Sequence, residues 1–308
     1  MSVVFLFAGQ GAQKVGMGRD LVDAIPSAAA LFSGVDTLTG LDLTKVMFEG
    51  PDEMLKRTGY CQPALYLHGI ALAQALRERL PALQVAACAG LSLGEFTAHA
   101  AAGTFSVGDG LKLVAARGRF MDEACAATEG AMAAMIGGEE AAVRSLAAEC
   151  DVDVANLNAP GQIVLSGSRD GIAAAIAGAK AKGIVKAIAL PVAGAYHSRL
   201  MKSAQEKLAP ELAATAMQEP AIPVIANVTA QPATDPAEIR TLLERQVTGS
   251  TRWAESMQHL RGQGHEVFIE FSPDGALANM FKRIDKAARV IVVSDAATLD
   301  RAVAELAG

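Results

Sequence analysis

Cysteine is scarce in this chain. Cys61, Cys88, Cys125 and Cys150 stand far apart, with no C-x-x-C pair and no His/Cys cluster at zinc spacing. That excludes a disulfide-stapled scaffold and offers no metal site, so reduced, buried thiols in a cytoplasmic protein are expected. Aromatic residues are few, at 5%, whereas alanine and glycine are abundant. Such a mix suits close helix-on-sheet packing better than an all-β sandwich. Positive charge is in deficit, 27 Lys and Arg against 33 Asp and Glu, and no long basic run occurs. Binding to nucleic acid or to an anionic membrane is not expected, although one or two local arginines could still hold an anionic substrate. No unbroken apolar stretch reaches membrane-spanning length. The first residues, Met1-Ser2-Val3-Val4-Phe5-Leu6-Phe7, lack a charged leader region and lead into glycines, which reads as a core strand and not a signal peptide. Internal repeats and low-complexity tails are missing too.

What is present is a long, half-apolar chain. Its 308 residues, 51% apolar, are enough for a full core in one large domain or in a domain carrying an insertion. Short apolar runs at Val3–Phe7, Val85–Ala89, Val224–Val228, Glu266–Phe271 and Val290–Val293 read as buried strands. Between them lie helical stretches: Asp20–Phe32, a piece near Glu53, Gln62–Leu80, Glu95–Ala102, Gly108–Cys125, Pro236–Gln246 and Arg252–Gly262. Strands alternating with helices predict an α/β fold with a doubly wound parallel sheet.

One segment has a pattern of its own. Strand-like Ala131–Ile136, an Ala-rich helix over Glu139–Glu149, strands Val152–Leu157 and Gln162–Ser166, a helix Ser168–Lys182 and a strand Val185–Pro191 follow one another. The turn Asn158-Ala159-Pro160-Gly161 joins the middle strands. The order β-α-β-β-α-β is that of a ferredoxin-like unit. It predicts a small subdomain over residues 128–192, inserted into a large domain made of 1–127 and 193–308. Ser166 then sits at a strand end and needs no catalytic role.

Chemistry concentrates at Gly90-Leu91-Ser92-Leu93-Gly94, directly behind the run Val85–Ala89 and ahead of a helix. A serine on a strand-to-helix turn between two glycines is the arrangement of a nucleophile elbow. The glycines remove side chains that would collide in so tight a turn, and the helix N-terminus directs N–H groups toward a developing oxyanion. Ser92 is the candidate nucleophile. A serine hydroxyl needs a base, and of five histidines His197 is best placed, in the Gly/Ala-rich loop Gly194–Ser198 that follows an apolar strand. His68 and His99 read as packed helix residues, His259 and His265 as solvated ones. No acid stands out as partner: Asp170 begins a helix and resembles a cap, while Asp274 and Asp295 remain open, so dyad and triad both stand. The loop Ala8–Gln13 fails the G-x-G-x-x-G spacing, because Lys14 holds the last glycine's place. It is either a turn or a loop whose N–H groups face the reacting centre.

These residues, taken together and in order, resemble the malonyl-CoA:acyl carrier protein transacylases. The resemblance rests on Phe7–Gln13, Gly16-Met17-Gly18, Gln62-Pro63-Ala64, Gly90–Glu95, Arg117-Gly118, Asn156–Gln162, Ala195-Tyr196-His197-Ser198 and Gln246-Val247, and so covers nearly the whole chain. It implies a hydrolase-like α/β domain with an inserted ferredoxin-like subdomain. It implies Ser92 as the acylated residue, His197 as general base, and the backbone N–H groups of Gln10 and Leu93 as the oxyanion hole. Arg117 would pair with the free carboxylate of the malonyl group, since a guanidinium offers two parallel donors to a carboxylate. Gln246 would orient the histidine through its backbone carbonyl, which would account for the lack of an aspartate. The implied substrates are malonyl-CoA and acyl carrier protein, with no metal or redox cofactor, and nothing demands more than a monomer.

Two positions depart from the family. Leu91 stands where members commonly carry histidine before the nucleophile, which removes a polar neighbour. The loop Ser272-Pro273-Asp274-Gly275 is less glycine-rich than its usual counterpart, and nothing is transferred to it. Ala195-Tyr196-His197 resembles malonyl-selective members and favours malonyl over methylmalonyl. The rival readings are an esterase-type serine hydrolase, which would tolerate uncharged acyl groups, a free-standing acyltransferase serving a polyketide synthase, and a non-catalytic interaction domain.

Overall fold

A computed structural model describes residues 2–307. Its strands, in chain order, are β1 (Ser2–Phe7), β2 (Gln84–Gly90), β3 (Gly130–Ile136), β4 (Asp153–Ala159), β5 (Gln162–Ser168), β6 (Lys186–Ala189), β7 (Val224–Ile225), β8 (Pro232–Ala233), β9 (Val267–Phe271) and β10 (Arg289–Val293). They form two sheets. The larger runs β10-β9-β1-β2-β7-β8 and the smaller β4-β5-β3-β6. Pairing in the larger sheet is parallel from β10 to β7, whereas every pair in the smaller one is antiparallel.

β1 lies in the middle of the larger sheet because its sequence is apolar on both faces: Val3 to Phe7 are all buried, as a parallel strand covered by helices on both sides requires. Phe5 and Phe7 face one layer, where Phe5 meets Phe271 edge to face at 4.9 Å between ring centroids. Val4 and Leu6 face the other, with Trp253, Phe268 and Phe281. The register aligns Phe7 with Gly90 of β2 and with Phe271 of β9. The loops that follow these three strands therefore leave the sheet at one edge, the carboxyl edge where open α/β sheets hold ligands.

The smaller sheet has its own core, built from Met135, Val143, Leu157, Leu165 and Ile172 among others. Its element order is strand, helix (Glu140–Glu149), two strands, helix (Arg169–Gly178), strand. β4 touches the rest of the chain at Thr251, whose N–H donates to Ala155 O at 2.8 Å and whose carbonyl accepts from Leu157 N–H at 2.9 Å. This pairing sets the smaller sheet against the carboxyl edge of the larger.

Several local expectations need correction. The expected helix over 20–32 is two, Arg19–Ala24 and Pro26–Phe32, because Ile25 precedes a proline and adopts an extended backbone. The expected strand 224–228 stops at Ile225, and the sheet ends there on the antiparallel β8, so it is not wholly parallel. Asp170 is not a cap: Ser168 is, its hydroxyl accepting from Gly171 N–H at 3.1 Å. A last helix, Ala296–Ala307, had no counterpart in the sequence reading. All four cysteines are free. No helix among the described residues is long and apolar enough to cross a membrane.

Candidate active site

β2 runs straight into the turn that carries Ser92, and the helix Leu93–Ala101 begins with the next residue. Ser92 sits at φ 55°, one of the few non-glycine residues with positive φ, a strained conformation that proteins keep mainly at functional turns. The turn is possible only because of its glycines. A Cβ on Gly90 would lie 1.9 Å from the Gly94 carbonyl, and one on Gly94 would lie 2.2 Å from Phe7 O. Neither could be relieved without moving backbone.

His197 reaches the serine from the loop ahead of the helix Lys202–Ala214. Its Nε2 lies 2.7 Å from Ser92 Oγ. Its Nδ1 lies 2.9 Å from Gln246 O and 3.2 Å from Gly249 O. Both of these are carbonyls and can only accept, so the proton is on Nδ1 and Nε2 is the lone-pair nitrogen facing the serine hydroxyl. Burial, and next the Arg117 charge, push the imidazole down to about 4, which keeps it neutral and ready to accept a proton at pH 7. None of Asp170, Asp274 or Asp295 is bonded to it. Asp274 caps its own turn at Ala276 N–H, and Asp295 bonds Thr298.

Arg117 lies on the helix Val107–Ala127 and is buried, 1% exposed. Its Nη2 is 3.0 Å from Ser92 Oγ and donates to Gln246 Oε1 at 2.9 Å, while Nη1 donates to Gln62 Oε1 at 2.6 Å. The guanidinium rests 5.4 Å above the Phe96 ring. Burial pulls it down to about 10, still charged at neutral pH. The planar fork is thus held beside Ser92 by three hydrogen bonds.

Gln246 does more than lend its carbonyl. Its side-chain amide donates to Ser92 O at 2.9 Å and to Glu95 Oε2 at 2.6 Å, tying serine, arginine and a buried glutamate together. Gln10 and Leu93 line the same cleft as Ser92. Leu93 is the first residue of its helix, so its N–H has no carbonyl four residues back within that helix. The Gln10 side chain is fixed by Thr58 Oγ1 at 2.8 Å, on the far side of which Gln62 also bonds.

The cleft has a volume of about 190 Å³. Its other wall comes from the smaller sheet: Met132, Asn156, Asn158 and Val164. Leu91 lines it as well, an apolar side chain next to Ser92. The structure thus brings Ser92, His197, Arg117, Gln246, Gln10 and Leu93 to one place. His68 and His99 are packed away from it, bonded to Ser294 O and Thr104 Oγ1. Among the described residues no group of three or more His, Cys, Asp or Glu side chains could hold a metal ion.

Sequence reasoning missed two supports. Asn227 follows the short β7 and accepts from Ser92 N–H at 2.7 Å while donating to Gly90 O at 2.7 Å, so it clamps both sides of the turn. Glu95 underlies it. Glu95 belonged to a quoted motif, but nothing around Asn227 marks it.

The acyl transferase domain family matches residues 4–305, almost the full chain. This protein belongs to that family. The acyl transferase of Bacillus subtilis (strain 168) named malonyl CoA-acyl carrier protein transacylase is 39% identical over 309 residues, covering 99% of this chain and 97% of its own. An acyl-carrier-protein-S-malonyltransferase from Bartonella henselae superposes with a TM-score of 0.94 at 34% identity, with both chains fully covered. A malonyl-transacylase solved in complex with its holo type II PKS acyl-carrier protein gives 0.94 at 31% identity, covering 99% of this chain and 100% of that one.

Proposed function

We propose that this acyltransferase moves the malonyl group of malonyl-CoA to the phosphopantetheine thiol of acyl carrier protein, through a malonyl ester on Ser92, in fatty-acid synthesis. The observation that carries this reading is the place of Arg117. A buried guanidinium 3.0 Å from the Ser92 oxygen suits an acyl group whose far end is a carboxylate, and a plain ester or acetyl group offers it nothing.

In the first step Ser92 Oγ attacks the thioester carbonyl as His197 Nε2 takes its proton. The negative oxygen that forms is received by the N–H groups of Gln10 and Leu93. The carbonyl closes again, the C–S bond breaks, and the imidazolium returns its proton to the departing thiol of coenzyme A. The carbonyls of Gln246 and Gly249 hold the Nδ1 proton throughout, in the place a carboxylate takes in other serine enzymes. The second step runs the same sequence with the carrier's thiol as nucleophile and Ser92 as leaving group. This chemistry needs no metal and no redox cofactor.

The element orders support the finer architecture: a hydrolase-like domain over 1–127 and 193–308, and a ferredoxin-like subdomain over 128–192 that supplies the outer wall of the cleft. We read the protein as a cytoplasmic monomer. The type II PKS complex among the similar structures supports one second reading, the same transfer to a polyketide carrier. The test is carrier mass. Loaded with malonyl-CoA, the enzyme should add one malonyl group to a holo fatty-acid carrier and none to the apo form. Transfer only to a polyketide carrier would favour the second reading, and release of free malonate with neither carrier loaded would reject both.

A further inference from the structure

Arg117 and Glu95 are both buried under the cleft, 1% and 0% exposed, yet they do not touch. Arg117 donates to neutral oxygens, those of Gln62, Gln246 and Ser92. The link to Glu95 is the Gln246 amide, whose oxygen accepts from Arg117 at 2.9 Å and whose nitrogen donates to Glu95 Oε2 at 2.6 Å. Oε2 also accepts from Asn227 N–H at 3.1 Å. Oε1 is buried with no partner at all.

The other titratable groups facing this spot are neutral. His197 is held so by burial, and Tyr196, whose field reaches Arg117, by burial that pushes its hydroxyl up. This spot thus holds one guanidinium and one carboxyl, joined through an amide. A substrate carboxylate arriving at Arg117 would bring a second acidic group to a buried site, and like charges there cannot both stay ionised cheaply. Burial already raises the Glu95 carboxyl to about 7, and Oε1 has room for a proton.

We propose that Glu95 is the resident counter-charge of Arg117 and takes up one proton from solvent when the free carboxylate of the substrate seats on the guanidinium. The proton is returned when the acyl group leaves for the carrier. This inference rests on the malonyl reading above. It makes loading harder as pH rises, and only for acyl groups that bring a carboxylate.

The test is the substrate concentration giving half-maximal acylation of Ser92, read by rapid quench and intact mass between pH 6 and 8. For malonyl-CoA it should rise about tenfold over that range, the slope that one proton linked to a group near 7 produces. Acetyl-CoA, with the same nucleotide phosphates and no carboxylate, should show no such rise. Glu95→Gln keeps an acceptor for Gln246 and Asn227 but cannot titrate, so its malonyl-CoA profile should be flat. As an independent measurement, the Ser92→Ala variant binding malonyl-CoA in weak buffer at pH 7 should take up about half a proton per site more than with acetyl-CoA. Identical pH profiles for wild type and Glu95→Gln, or equal proton uptake from the two thioesters, would overturn the proposal. Absence of any malonyl adduct on wild type would instead overturn the malonyl reading itself.

Discussion

The backbone N–H of Ser92 donates to Oδ1 of Asn227 over 2.7 Å, across 135 positions of sequence. The same side chain donates to Gly90 O, so one amide holds the turn from both ends. Asn227→Ala should leave two buried backbone groups unpaired and cost about 2–4 kcal/mol. Acylation should slow as well, because a shifted serine loses its alignment with His197. Thermal unfolding and quench kinetics on the same preparation check both. Unchanged stability would mean that water replaces the side chain.

That contact also shows where sequence reading stops. Ser92 was legible because its signal is local: an apolar run, two glycines at fixed spacing, a helix. His197 was legible from the loop around it. Asn227 carries no local mark, since its meaning comes from the pairing of β2 with β7, which residues 224–228 do not announce. The second role of Gln246 was hidden for the same reason. Its carbonyl was expected from family resemblance, whereas its amide bonds to Ser92, Arg117 and Glu95 appear only when three distant segments meet. Elsewhere local rules misled: Asp170 looked like a cap, but Ser168, two residues earlier, has the extended backbone a cap needs.

Glycine at the elbow is a steric requirement. Gly90→Ala and Gly94→Ala would each place a Cβ within 2.2 Å of backbone atoms, and both should destabilise by more than about 4 kcal/mol or prevent folding. Gly262, at the end of the helix Trp253–Gly262, has nothing within 4 Å of the same position. Gly262→Ala should be neutral, or stabilising by up to about 1 kcal/mol. Expression and denaturation midpoints of the three variants decide the matter.

Arg117→Ala should reduce malonyl loading by about a hundredfold or more, with a much smaller effect on acetyl loading. Arg117→Lys should not restore selectivity, because an ammonium cannot satisfy Gln62 and Gln246 while presenting a fork to a carboxylate. Equal losses for both thioesters would remove the arginine from substrate recognition.

Acidity should affect rate and stability at different places. In the proposed mechanism His197 is a base only when neutral, so acylation should fall on an acid limb near pH 4 and not near the usual histidine value of 6.5. Stability should decline earlier. His68, His99 and His197 are all lowered by burial, to about 4, 3 and 4. Above about 6.5 both folded and unfolded chains hold these rings neutral, and no cost arises. As pH falls from there toward the folded values, the unfolded chain binds protons that the folded one refuses, and stability drops. Melting temperature against pH should show this decline, and His99→Gln should make it shallower.

The central claim is that Ser92 accepts an acyl group chosen by its carboxylate. Intact mass after brief mixing with malonyl-CoA, beside acetyl-CoA and the Ser92→Ala variant, tests it most directly. The account predicts one malonyl adduct on the wild type, a slower and smaller acetyl adduct from acetyl-CoA, and none from either on the variant. A folded protein that forms no adduct, or one that takes both acyl groups equally, would contradict it.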